Sequence, residues 1–321
     1  MNDSGIILYA KQSGPTSFSS LNAIKKAFNT KKVGHTGTLD SFAEGLMVVL
    51  VGKMTKLVPY IISADKTYEA VIQFGVETDT LEVTGKEIKT ASIPSLEQIQ
   101  EIFPKFIGTI EQTPPLYSAI HINGKRASDM IRSGEEVKMP SRFVHINSLI
   151  LKEYKDGKAL IEVSCSKGTY IRSLARDIAN AVNSCGYLVA LRRTKVGPFS
   201  LNNAIFVDKM ENFSINSYGA INEKKYEFSD KDLDTIRAGL ITFSPDFALD
   251  CGFEVLFLYN KFINDFFDGK PLRKNYFLPK DVIQKIKDIA VFTEDNKFIG
   301  VIKLEKSRFK YCFVIPKGSI F

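Results

Sequence analysis

The chain reads as an α+β protein with a largely antiparallel sheet. Strand-like and helix-like runs mix along it without a βαβ alternation. Two apolar runs, 144–154 and 158–165, meet at Asp156-Gly157, a strong hairpin signal. With 321 residues, 44% of them hydrophobic, there is room for two domains, one large enough for a sizeable core.

In chain order, Ile6-Ile7-Leu8-Tyr9 reads as a short buried strand, and Lys11-Gln12-Ser13-Gly14-Pro15 as a turn. Thr16 or Ser17 can cap a helix with Phe18, Leu21, Ile24 and Phe28 on its apolar face. A glycine-rich loop, 34–45, leads into a strand at 46–51. Residues 66–74 are rich in strand formers, with Tyr68, Ala70, Ile72 and Phe74 on one face. Residues 75–85 read as loop. Ser95 and Gln98 are spaced as a capping box for a helix with Leu96, Ile99, Phe103 and Phe106 inward. Residues 113–139 have no sustained period, are turn-rich and basic, and read as a long insertion. After the hairpin comes a helix with Ile171, Leu174, Ile178 and Val182 inward and Gly186 as its stop, then a strand at 188–199. Residues 201–247 read as a connecting segment with a helix near 231–238. A short helix at 260–267 and strands at 289–293, 298–304 and 309–315 form a small C-terminal β module, 248–321.

Composition narrows the function. The net charge is +7 and the pI ≈ 9.0, which favours a polyanionic partner. Residues 1–60 carry seven lysines against Asp3, Asp40 and Glu44. That lysine-rich face is either a solvated surface or a phosphate-facing rim. With no Trp, aromatic packing and stacking fall to 24 Phe and 12 Tyr. The four cysteines form no CxxC pair and the three histidines no zinc-ligand spacing, so a reduced, metal-free cytoplasmic protein is expected. No run reaches the roughly 18 apolar residues that span a bilayer, and no signal peptide is read at the start.

The most informative stretch is Gly34-His35-Thr36-Gly37-Thr38-Leu39-Asp40-Ser41-Phe42-Ala43-Glu44-Gly45-Leu46. Taken blind, it is either a surface turn with a capping Asp or a loop holding one carboxylate against something bulky. Gly-His-Thr-Gly-Thr-Leu-Asp followed by Ala-x-Gly-Leu resembles the catalytic loop of the bacterial TruB family, pseudouridine synthases acting on the T-loop uridine of tRNA (position 55). Further pieces follow in the family's order: Lys11 with Gly14 and Thr16-Ser17, Lys66-Thr67-Tyr68, Thr78-Asp79-Thr80, Asn123-Gly124-Lys125-Arg126, Lys167-Gly168-Thr169-Tyr170-Ile171-Arg172, and Leu191-Arg192-Arg193-Thr194. Two prolines usual in the family are replaced here by Gln12 and Ser41.

The resemblance implies a pseudouridine synthase core, residues 1–247, with a thumb-like RNA-clamping insertion at about 113–140, and a PUA-like RNA-binding domain in the tail. It implies Asp40 as nucleophile, Arg172 as its ion-pair partner and Tyr68 as the active-site tyrosine. The substrate contacts it implies are His35, Tyr170 and Leu191 around the base, and Lys11, Lys125, Arg126 and Arg132 on the RNA. The reaction breaks a C–N glycosidic bond and rejoins the same base through carbon, so no cofactor or metal is expected. A carboxylate serves by attacking either the base or the sugar carbon, and a fixed cation keeps it ionised. The target base must leave its stack to be reached. The expected partner is the tRNA T arm, with no membrane, and the expected state a monomer. A non-catalytic helper that grips the tRNA elbow would use the same surfaces. A glycoside hydrolase would need a second acid several ångströms away, and only Glu44 is near in sequence.

Overall fold

In the computed structural model, which describes residues 4–219, 228–278 and 288–317, the strands gather into two main sheets. The large sheet has nine strands. Its path runs Gly5–Lys11, Glu44–Val51, Gly186–Val196, Lys66–Phe74, Lys158–Cys165, Arg142–Lys155 and Gly108–Gln112. Every pairing is antiparallel except Glu44–Val51 against Gly186–Val196, which is parallel. The α+β expectation holds. The hairpin at Asp156-Gly157 forms as expected, with Asp156 at φ 51 and Gly157 at φ 73, the left-handed pair that a two-residue turn demands.

One face of the sheet is covered by helices. Helix Ser17–Ala27 starts at Thr16, whose side chain accepts from the Ser19 amide. Helix Leu96–Ile102 carries the expected Ser95/Gln98 capping box. Helix Ile171–Ala181 turns Leu174, Ala175 and Ile178 inward. Ala70, Ile72 and Phe74 lie in this same apolar cluster, with Tyr68 partly buried against it, so that strand's face is as read.

The opposite face carries Ile6, Leu8, Leu46, Val48 and Leu50 into a second cluster, shared with Phe243, Ala290, Phe292 and Phe298. The C-terminal sheet therefore docks on the large sheet through a common core. Its order is Phe277–Leu278, Glu254–Leu258, Asp288–Thr293, Phe298–Glu305 and Arg308–Val314. Helix Pro245–Asp250 straddles the join expected at 247/248.

Several details differ from expectation. Phe18 and Leu96 are exposed; Phe18 points away from the arc of Ser17, Ser20, Leu21, Ile24 and Ala27 that its helix buries. Gly186 does not stop a helix. Val182 caps it, Asn183 takes the left-handed turn (φ 55), and Gly186 opens the next strand. The 75–85 loop contains a short strand, Val76–Thr78, paired with Glu87–Thr90. Strands Glu254–Leu258 and Phe277–Leu278 were not foreseen in the C-terminal module. The 113–139 insertion holds a two-residue-turn hairpin, His121–Ile122 with Lys125–Arg126, and a helix, Ala127–Arg132. Residues 220–227 of the expected connecting segment lie outside the described residues, and its helix runs Asp230–Ala238.

Candidate active site

The Asp40 loop is fixed by its backbone. Gly14 N–H donates to the Ser41 carbonyl (2.8 Å), and the Ser13 hydroxyl donates to the Phe42 carbonyl (2.6 Å). Ser17 Oγ donates to the Leu39 carbonyl and accepts from its amide, both at 2.8 Å. At Gly45, φ is +115° and an added Cβ would stand 2.4 Å from the Arg193 carbonyl, so only glycine lets the loop rejoin the sheet there.

Lys11 was expected among the RNA contacts, and the structure corrects this. The side chain is fully buried, and its Nζ donates to the carbonyls of Gln12 (3.1 Å), Asp40 (3.2 Å), Ser41 (3.3 Å) and Ala43 (2.6 Å). A cation with no exposed surface cannot reach a phosphate; it staples the loop instead. Burial pulls its pKa down to about 7, against the opposing attraction of Asp40 and Glu44.

Asp40 and Arg172 come together as expected. Arg172 Nη2 donates to Asp40 Oδ1 (3.3 Å), and Nε lies 2.9 Å from Oδ2 as an ion pair. Arg172 is 4% exposed, while the Asp40 side chain is 36% exposed. The remaining guanidinium donors reach the carbonyls of Thr80 (Nη1, 2.9 Å) and Tyr117 (Nη2, 3.0 Å). One arginine thus ties three segments: the Asp40 loop, the 75–85 loop and the root of the insertion. Gly85 serves this arrangement, since a Cβ there would stand 2.3 Å from Thr80 Oγ1.

The start of helix Ile171–Ala181 is anchored by Gln112, which accepts from the Tyr170 amide (2.8 Å) and donates to the Tyr170 carbonyl (3.2 Å). The Tyr170 ring is half-buried with the Arg142 guanidinium 4.9 Å from its centroid. Leu191 is buried in the cluster that also receives Tyr68. Burial raises the Tyr68 phenol above its ordinary pKa, with the charge of Asp40 adding to that and Arg193, which hydrogen-bonds it, opposing. His35 ends the Val33–His35 strand, half-buried, and accepts from the Gly37 amide at Nδ1 (3.3 Å). Burial and then Arg193 lower its pKa, so the ring is neutral at neutral pH.

Lys125, Arg126 and Arg132 stand exposed on the insertion's hairpin and helix. Two of the three are engaged locally: Lys125 pairs with Glu135 (3.3 Å) and Arg132 with Asp129 (3.8 Å).

Two site residues escaped the sequence. Arg193 is 2% exposed and donates to the carbonyls of Leu46 (Nε, 2.7 Å) and Gly37 (Nη2, 3.0 Å). Glu82 is buried beside Arg172, its pKa raised by burial and drawn back by that arginine. Among the described residues no group of His, Cys, Asp and Glu could hold a metal ion, and no helix is long and apolar enough to cross a membrane.

The N-terminal domain of the TruB family pseudouridylate synthases matches residues 25–171. A tRNA pseudouridine synthase B from Treponema denticola is 44% identical, the match covering 98% of this chain and 99% of that protein. One from Borreliella burgdorferi is 44% identical over 71% of this chain and 83% of that protein. Among solved structures, a chain of a Cbf5–Nop10–Gar1 complex superposes with a TM-score of 0.68 at 21% identity, covering 98% of this chain and 86% of that one.

Proposed function

Because the chain belongs to the TruB family of pseudouridylate synthases, we propose that it converts the T-loop uridine of tRNA to pseudouridine, with Asp40 as nucleophile. Family membership makes it an isomerase that forms pseudouridine; the modified position, the nucleophile and the extruded base are our inference. The observation that carries the inference is the Asp40–Arg172 pair. Its cation is buried and held by three segments, while its carboxylate keeps an open side. A carboxylate so held is fixed in place without being sealed from substrate.

In this reading the uridine leaves its stack at a cost of a few kcal/mol and enters beside Tyr68, Tyr170 and Leu191. Tyr68 covers the base, and its un-ionised phenol can shuttle a proton late in the reaction. Neutral His35 props the space the base vacates. The insertion closes on the RNA, and residues 248–321 serve as a PUA-like RNA-binding domain beside the catalytic residues 1–247.

The test is to incubate the protein with an unmodified tRNA transcript and map any new pseudouridine. A single product in the T loop is expected, lost in Asp40→Asn with tRNA binding retained. Isomerisation by Asp40→Asn would end the assignment. Tyr68→Phe should bind as well and turn over far more slowly; an unchanged rate would remove the proton-transfer role.

A further inference from the structure

Helix Ser17–Ala27 buries Leu21, Ala23, Ile24 and Ala27 but leaves Phe18 70% exposed. Single exposed apolar side chains are ordinary on a protein surface, and Phe143 is 76% exposed; what sets Phe18 apart is its place. Ser17, the preceding residue, is bonded twice to Leu39, and Leu39 precedes Asp40. The backbone of Phe18 is therefore close to the candidate nucleophile's loop, with its ring turned to solvent. Lys25, two turns along the helix, holds its Nζ 4.2 Å from the Phe18 ring centroid. Along the chain here the charge is of one sign, although the helix packed on this one, Asp230–Ala238, brings Asp230, Asp232 and Asp234. Lys25 is half-buried, Lys26, Lys31 and Lys32 are exposed, and no acid occurs between Asp3 and Asp40.

We propose that Phe18 and Lys25 form a stacking site, outside the catalytic cleft, for a base of the RNA strand flanking the extruded uridine. An aromatic face with a cation beside it is the usual sequence-tolerant device for unpaired nucleotides. Extruding one uridine breaks the stack of its neighbours, and Phe18 offers a displaced neighbour a new surface. Lys25 neutralises the adjoining phosphate. The lysine-rich helix end favours a polyanion over an apolar protein partner. The proposal rests on the uridine-isomerising reading given above.

The test uses a T-arm RNA carrying 2-aminopurine next to the target uridine, bound to full-length Asp40→Asn protein. Adding Phe18→Ala should weaken binding by about tenfold, within the range of one base–aromatic stack, and relieve the 2-aminopurine quench. Phe18→Tyr should restore both, which a merely structural role would not require. Lys25→Gln should lower the salt slope of binding by about one. Unaltered affinity and quench in Phe18→Ala, while the wild type converts uridine, would overturn the stacking site alone. Loss of self-association in Phe18→Ala with RNA binding intact would reassign the face to a protein contact and also overturn it. A wild type unable to convert uridine would instead overturn the functional reading.

Discussion

Replacing Arg172 with lysine keeps the charge and removes the geometry. The guanidinium meets Asp40 twice and reaches two carbonyls, Thr80 and Tyr117, on separate segments. An ammonium at that depth can satisfy one of these directions well. Each charge-assisted hydrogen bond in such a place is worth about 1.5–3 kcal/mol, so losing two partners would cost about 3–6 kcal/mol if all were dry. Asp40 is 36% exposed and water can replace part of what it loses, which discounts its share. The expected loss is about 3 kcal/mol, a large part of the ~5–15 kcal/mol that holds a domain folded. The catalytic effect should be larger in proportion, because three segments lose a common anchor and a shift of about 1 Å at a reacting group costs roughly 10²-fold. Urea denaturation measures the first quantity, and single-turnover pseudouridine formation at saturating tRNA the second. An Arg172→Lys protein with the wild-type urea midpoint and rate would refute the anchoring role. A normal midpoint with a collapsed rate would confine the arginine's effect to Asp40.

Lys11→Met should destabilise the fold by about 3 kcal/mol, because four loop carbonyls lose their shared donor while water reaches some of them; RNA affinity at fixed salt should hold, and a specific loss of affinity would return Lys11 to the RNA contacts. Neutralising Lys125, Arg126 and Arg132 together should weaken tRNA binding and reduce its salt slope by less than the approximately three units of three free cations, since two of them are already paired with acids; an unaltered slope would argue against a clamp. His35 has a folded-state pKa below 6.5, so below that pH the unfolded chain binds a proton that the folded chain refuses. Stability from this residue is complete above 6.5 and falls as the pH drops; His35→Gln should flatten that fall, measured as the urea midpoint between pH 7 and 5.

The sequence was most legible where local chemistry and the fold agree. Asp156-Gly157 could only be a tight hairpin, and Ser95 with Gln98 could only cap a helix, because both signals are complete within four residues. Asp40, Tyr68 and Arg172 are singled out as candidates because they stand inside motif strings, and the fold brings Arg172 to Asp40 from 132 residues away. Burial of charge was not legible. Lys11 and Arg193 look like surface cations in the sequence, since nothing near them in the chain offers an acid, and apart from Tyr68 beside Arg193 the partners named above are backbone carbonyls that carry no letter. Glu82 lies two residues beyond the Thr78-Asp79-Thr80 motif and carries no signal of its own. Periodicity places Phe18 with Leu21 by their spacing of three, but the arc the helix buries is set by Ser17 and Ser20, small polar residues that carry no apolar signal.

The three buried cations divide the work around Asp40 according to what they touch. Lys11 and Arg193 spend their donors on carbonyls of the Asp40 loop and the strand after it, so they fix the backbone. Arg172 alone takes the carboxylate. The division has an electrostatic reason. A carboxylate gripped by all three cations would be over-stabilised as an anion and a poor nucleophile, whereas one held by a single arginine keeps an unshared face. Glu82 stands near the same guanidinium, which draws its burial-raised pKa back down. Departures from the family pattern at Gln12 and Ser41 fit the same logic. Both offer their carbonyls to Lys11, and Ser41 also to the Gly14 amide, so these backbone contacts do not depend on the replaced side chains.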